Sequence, residues 1–204
     1  MKVLAINGSP HAFGCTHTAL SVMKEELIRE NIDVDILHIG TNPIRGCIGC
    51  RSCMETKKCV YDDVVNEAAA LARNANGLII ASPVHFSGIA GNMKCFLDRF
   101  FYSAGSEIMA NKAGSALVCL RRSGGSAALD SMNHYLHYSK MAVASSHYWN
   151  IVHGQSPEEI YKDEEGVQII KTAAQNLAWL LKSIHSGNVD IPEKEPRMRT
   201  NFIR

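Results

Sequence analysis

MKVLAINGSPHAFGCTHTAL, residues 1–20, contains one full change of periodicity. Val3, Leu4, Ala5 and Ile6 form an unbroken apolar run, the pattern of a short strand buried on both faces. Asn7, Gly8, Ser9 and Pro10 interrupt it with loop chemistry. Apolar residues then recur at Leu20, Met23, Leu27 and Ile28, which predicts an amphipathic helix over residues 18–30. A buried strand that hands over through a small-residue loop to a helix is the opening unit of a parallel α/β sheet.

The same alternation continues along the chain. Strands are expected at residues 33–39, 78–81 and 116–120, and a fifth in two parts at 141–143 and 151–152. Helices are expected at 62–73, 93–101, 127–138 and 158–184; Asp62 and Asp63 suit the N-terminus of the first of these through capping and the helix dipole. Short buried strands with helices between them predict a doubly wound sheet covered on both faces. Such sheets bind ligands beyond the carboxyl ends of their strands, at the topological switch point. The loops after the first, third and fourth strands are therefore the expected site. Residues 1–185 read as one domain, with a cysteine-rich loop at 44–61 and a polar, basic tail at 186–204.

The 204 residues are 46% hydrophobic and 20% charged, a globular balance with room for a sizeable core. A net charge of +1 gives no polyelectrolyte signal, so nucleic acid is not expected as a partner. No stretch reaches the length of a membrane span, and residues 3–6 are too few for a leader. The expectation is a cytoplasmic protein without a membrane partner, whose thiols stay reduced.

Residues 7–20 supply the hydroxyls of Ser9, Thr16 and Thr18, the flexible Gly8 and Gly14, and backbone N–H groups that open a helix. Together these suit a phosphate. The lysine of a Walker loop is absent, and so is G-x-G-x-x-G, which points to a monophosphate such as FMN rather than to a triphosphate or dinucleotide. After the third strand, Pro83, Val84, His85, Phe86 and Ser87 form an apolar-aromatic stretch suited to lie along a flat heteroaromatic ring. His85 taken alone reads as an ordinary loop histidine.

At 47–59, CIGCRSCMETKKC places Cys47, Cys50, Cys53 and Cys59 at C-x2-C-x2-C-x5-C spacing. A tight arc of thiolates can wrap an iron–sulfur cube, four thiolates can hold zinc, and an exposed dithiol can work without metal. Arg45, Arg51, Lys57 and Lys58 would offset thiolate charge. All three readings stand on spacing alone. Cys95 and Cys119 fall in helix and strand patterns and read as small packed residues. His134 and His137 share a helix face without a metal motif around them, and Tyr148 and Trp149 read as packing residues. Arg197, Arg199 and Arg204 read as a solvated tail.

GSP-x3-G-x-T after the first strand and SPVHF-x-G-x-x-G-x-x-K-x-x-x-DR after the third resemble the NAD(P)H-dependent FMN reductases. The cysteine segment followed by Asp62-Asp63 is similar to iron–sulfur flavoproteins. The resemblance covers roughly residues 1–155. It implies a flavodoxin-like five-stranded parallel sheet of order 2-1-3-4-5, noncovalent FMN, NAD(P)H as electron donor, and a homodimer or homotetramer. It assigns the phosphate to Ser9, Gly14, Thr16 and Thr18, with Cys15 standing where the family usually has Asn. The ring would contact Pro83, Val84, His85, Phe86 and Ser87, with Arg121, Ser123 and Gly124 from the loop after the fourth strand. Cys47, Cys50, Cys53 and Cys59 would be the ligands of a 4Fe–4S cluster if one is held; the resemblance leaves the cluster and the cluster-free loop both open. The implied function is an FMN-dependent reductase that passes electrons to a quinone, a nitro compound or another small acceptor. The alternative is an electron-transfer or redox-sensing flavoprotein with a redox protein as partner.

Overall fold

The computed structural model describes residues 1–204 except 188, 189, 194, 197, 199, 201, 203 and 204, so the three tail arginines singled out above lie outside the described residues. Five parallel strand positions build the sheet. Strand β1 (Lys2–Asn7) lies centrally, flanked by β2 (Asp33–His38) on one side and by β3 (Gly77–His85) on the other. Beyond β3 comes β5 (Ala113–Leu120), after the two-residue β4 (Gly88–Ile89), which pairs only with β3. Two short segments, β6 (Ala142–Val143) and β7 (Ile151–His153), both pair in parallel with β5. Counted by parallel positions this is the flavodoxin-like order expected from the sequence.

The sheet nevertheless has seven strands, not five. Two local causes account for the difference. The fifth position is occupied in two pieces because the chain leaves the sheet after Val143 and returns at Ile151. The extra β4 exists because the chain reverses at Phe86 and Ser87, between the paired residues His85 and Gly88. Both turn residues have positive φ, 50° and 61°, the backbone pattern of a type I′ hairpin turn.

Alternation along the central strands divides the core in two. Leu4 and Ile6, Leu78 and Ile80, and Ala116 and Val118 face one layer. That layer is made by α3 (Val64–Arg73), α4 (Gly91–Phe100) and α6 (Gly125–Tyr138). Val3 and Ala5, Ile79 and Ala81, and Leu117 and Cys119 face the other, made by α1 (Cys15–Arg29) and α8 (Glu164–His185). Each fully buried aliphatic side chain contributes roughly 1.5–3 kcal/mol.

Helix boundaries differ from the sequence reading in three places. The first helix starts at Cys15, a turn earlier than expected. The last is broken into α7 (Pro157–Ile160) and α8, because the Asp163 carboxylate accepts the N–H groups of Gly166 at 3.0 Å and His153 at 2.7 Å and so starts a new helix. Between α4 and the short α5 (Ser106–Ile108), Phe101–Gly105 forms a π-helical segment. A further short helix, α2 (Cys53–Thr56), lies inside the cysteine loop. Among the described residues no helix is long and apolar enough to cross a membrane.

Candidate functional site

The loop after β1 is organised by Asn7, which has no solvent exposure. Its Oδ1 accepts the N–H of Ser9 at 3.1 Å, and its Nδ2 donates to the carbonyl of Ala12 at 3.2 Å. Gly8 donates its N–H to the carbonyl of Ala81 on β3 at 2.8 Å. A Cβ at Gly8 would meet that oxygen at 2.9 Å and the Met93 sulfur at 2.6 Å, so only glycine permits the approach. Ser9 Oγ accepts the N–H of His11 at 3.1 Å, and the Ser9 carbonyl accepts from His38 Nε2 at 2.8 Å. The loop ends at Gly14, which caps α1 without a side-chain bond. The N–H of Thr18 reaches the Gly14 carbonyl at 3.1 Å, which leaves the N–H groups of Cys15, Thr16 and His17 without an intrahelical acceptor. Such a turn favours an anion.

A cleft of about 720 Å³ opens at the carboxyl ends of the strands, a volume in the range of cofactor sites. Its walls are the loop from Ser9 to Thr16, then Pro83 and Val84, then Cys119, Leu120 and Arg121, and finally Gly154, Gln155 and Pro157. The open helix N-terminus and the cationic Arg121 fit a phosphate, and the apolar Pro83–Val84 wall fits a ring.

The predicted residues divide between this cleft and its surroundings. Ser9, Gly14, Cys15, Thr16, Pro83, Val84 and Arg121 line it together. Thr18 does not; its hydroxyl points back to the Gly14 carbonyl at 3.4 Å. His85, Phe86 and Ser87 stand exposed on the hairpin, and Phe86 is as exposed as in an extended chain, at 107%. Ser123 and Gly124 line an adjoining cleft of about 370 Å³, together with Arg122, Tyr148 and Trp149. The two neighbourhoods touch, since a Cβ on Gly124 would lie 2.7 Å from Ser87 Oγ. Cys15 packs with its sulfur donating to the Gly154 carbonyl at 3.7 Å, and burial pushes its thiol up. Burial likewise pushes the Cys119 thiol far up.

Sequence reasoning missed Asn7, His38 and the Gly154–Gln155 loop. The last was recoverable, because the exit of the fifth strand lies at the same end of a parallel sheet as the other exits. Asn7 and His38 act on backbone groups, which leave no motif.

The four loop cysteines come together. Cys47, Cys50, Cys53 and Cys59 ring one cavity of about 20 Å³, closed by Arg51, Tyr61, Arg99, Tyr102 and Ser103. Cys47 and Cys50 are exposed, Cys59 is half-buried and Cys53 is buried. Hydrogen bonds from the Ser52 backbone and hydroxyl hold the Cys50 thiol below its ordinary range, whereas burial raises that of Cys53. Among the described residues no three histidine, cysteine or acidic side chains converge on a point that would hold a single metal ion. Four thiols around a shared space are a donor set that an iron–sulfur cluster or zinc could use, and that could also remain free.

The cavity shares no residue with the cleft and lies against the C-terminal end of α4. Lys57 reaches Glu107 at 3.4 Å, which places the loop beside α5. Residues 39–63 form a long connection, and such a connection settles where its side chains find partners rather than where its strand ends.

The family model described as NADPH-dependent FMN reductase matches residues 1–156. An iron-sulfur flavoprotein of Methanocaldococcus jannaschii is 28% identical over 191 residues, covering 90% of this chain and 99% of that protein. One from Methanosarcina thermophila is 26% identical over 192 residues, covering 92% and 98%. Among solved structures, an NADH:FMN oxidoreductase in its apo form superposes with a TM-score of 0.66 at 19% identity, over 91% of this chain and 92% of that one. A flavodoxin from the domain Archaea does so with a TM-score of 0.59 at 15% identity, over 89% and 99%. At these identities the solved structures carry the fold alone, and it is the fold found here. The match over residues 1–156 spans well over half of the sequence, and the chain belongs to the NADPH-dependent FMN reductase family.

Proposed function

We propose that the protein is an FMN-dependent oxidoreductase of the NAD(P)H:acceptor type, with a quinone, a nitro compound or another small molecule as electron acceptor. The observation that carries this reading is the cleft at the strand ends, in which the N-terminus of α1, Pro83, Val84 and Arg121 face one space. The turn from Ser9 to Thr16 binds the phosphate through N–H groups and hydroxyls, and Arg121 adds a positive charge. Pro83 and Val84 wall the ring and exclude water from one face. Bound FMN supplies the redox chemistry, accepting a hydride and releasing electrons, so no side-chain nucleophile is required. The active form in this reading is a cytoplasmic homodimer or homotetramer.

The same reading gives Cys47, Cys50, Cys53 and Cys59 a four-iron cluster. The relatives named iron-sulfur flavoprotein and the single cavity ringed by all four thiols support it. The arm that carries Cys47 and Cys50 is exposed, so the cavity can be loaded from solvent. When bound, such a cluster supplies single-electron transfer. The exposure of that arm also favours a second reading, an electron-transfer flavoprotein whose partner is a redox protein.

Denaturation of anaerobically purified protein should release one FMN per chain, and reconstitution should add about four irons held by four cysteines. Cys50→Ser should lose most of that iron and keep its FMN. Absence of flavin, with no uptake of added FMN, would reject the reading. Steady-state oxidation of NAD(P)H with a small acceptor separates the enzyme from the carrier.

A further inference from the structure

Arg99 is among the largest side chains of the described interior and is only 1% exposed. A guanidinium at that depth is costly unless every donor is matched. Asp63 takes most of it in a fork, Nη1 to Oδ2 at 2.6 Å and Nη2 to Oδ1 at 2.9 Å, and Nη2 also donates to the Tyr61 carbonyl at 3.1 Å. Nη1 also reaches the Arg45 carbonyl at 3.5 Å, and the last donor, Nε–H, points at Cys59 Sγ at 3.2 Å. A neutral thiol is a weak acceptor, whereas a thiolate or a metal-bound sulfur is a good one. The ion pair with Asp63 explains the fork and leaves the Nε–H···S contact unaccounted for.

Cys59 is also held from its backbone. Its N–H donates to Asn66 Oδ1 at 2.9 Å, and its carbonyl accepts from Asn66 Nδ2 at 3.0 Å. With both main chain and sulfur fixed, Cys59 is the preset corner of the cavity, while Cys47 and Cys50 remain exposed on its other side.

We propose, resting on the reading that the loop holds a four-iron cluster, that Arg99 is its positioning residue: it fixes Cys59 as the first corner and supplies the buried positive charge that sets the cluster's reduction potential. A cation hydrogen-bonded to a ligand sulfur favours the more negative, reduced cluster and therefore raises the potential; such partners typically change metal affinity about 10- to 100-fold. Asp63, paired to the same guanidinium, opposes that effect.

The test is anaerobic reconstitution of full-length protein with iron and sulfide, followed by redox titration and by chelator-competed iron retention, in wild type, Arg99→Gln, Arg99→Lys and Asp63→Asn. Arg99→Gln should shift the midpoint to more negative values and weaken iron retention about 10- to 100-fold. Arg99→Lys should stay nearer to wild type, because the charge persists. Asp63→Asn should shift the midpoint the opposite way; asparagine retains the helix cap at α3, where the Asp63 side chain accepts from Val65. Opposed shifts cannot come from general loosening of the loop. FMN content serves as the folding control, and if Arg99→Gln does not fold, Asp63→Asn decides alone. Shifts of equal sign, no shift, or a lysine variant as displaced as the glutamine one would overturn the assignment of Arg99 alone. A wild-type protein that takes up no iron would remove the cluster reading and the role of Arg99 with it.

Discussion

Asn7 is the residue on which the loop after β1 depends, although it carries no charge and touches no solvent. Its two side-chain bonds replace backbone pairing that the loop cannot make for itself. Asn7→Ala should leave the Ser9 N–H and the Ala12 carbonyl without these partners and cost about 1–3 kcal/mol of stability by urea unfolding. Because the cradle then has to be ordered by its ligand, FMN affinity by flavin-fluorescence titration should fall about tenfold, as 1.4 kcal/mol corresponds to a factor of ten. Unchanged affinity would mean that the loop is ordered from elsewhere. The sequence identified the loop through its Gly, Ser and Thr residues, and Ser9, Gly14 and Thr16 do line the cleft. Thr18 does not line it, since a hydroxyl in the first turn of a helix has a nearer acceptor in the carbonyl four residues back. Arg99 appeared only as one letter of a motif; its importance comes from burial, which a sequence does not display.

At the level of single elements, the β3–β4 hairpin carries the clearest local conflict. Phe86 and Ser87 hold left-handed φ values that favour glycine and asparagine, and Phe86 buries nothing within the chain in return. Replacing the pair by Asn-Gly should therefore stabilise the isolated chain by about 1–2 kcal/mol, seen as a higher melting temperature. The same change should weaken flavin binding or subunit association, because an exposed aromatic held in a strained turn is kept for a contact outside the chain's own core. A variant that is more stable and fully active would leave the strain without a functional reason. The run 83–87 was legible as an apolar-aromatic stretch, but not as a hairpin: its turn residues are not the ones from which such turns are recognised. The break between α7 and α8 was hidden for a related reason, because Asp163 acts as a cap through a bond to His153 as well as to its own helix.

For the whole molecule, the expectation is a homodimer. Phe86 at 107%, Tyr102 at 55% and Trp149 at 59% exposure leave more aromatic surface in water than one chain can hide. Sedimentation at working concentration should give twice the mass of the 204-residue chain, and a fully active monomer would sink the idea. The central sheet was determined by the sequence itself. Unbroken apolar runs at 3–6 and 78–81 can be satisfied only between two helical layers, and short connections then fix which strands are neighbours. That places the exit loops of the strands at one end and makes the cleft a consequence of local pattern. The cysteine loop obeyed no such constraint. Its spacing brought four thiols around one cavity, but the cavity's position against α4 was decided by the buried Arg99, which meets Asp63, Tyr61 and Cys59 at once. Short-range periodicity is written in neighbouring residues, whereas the place of a long loop is set by contacts between residues far apart in the chain, and those exist only once the molecule has folded.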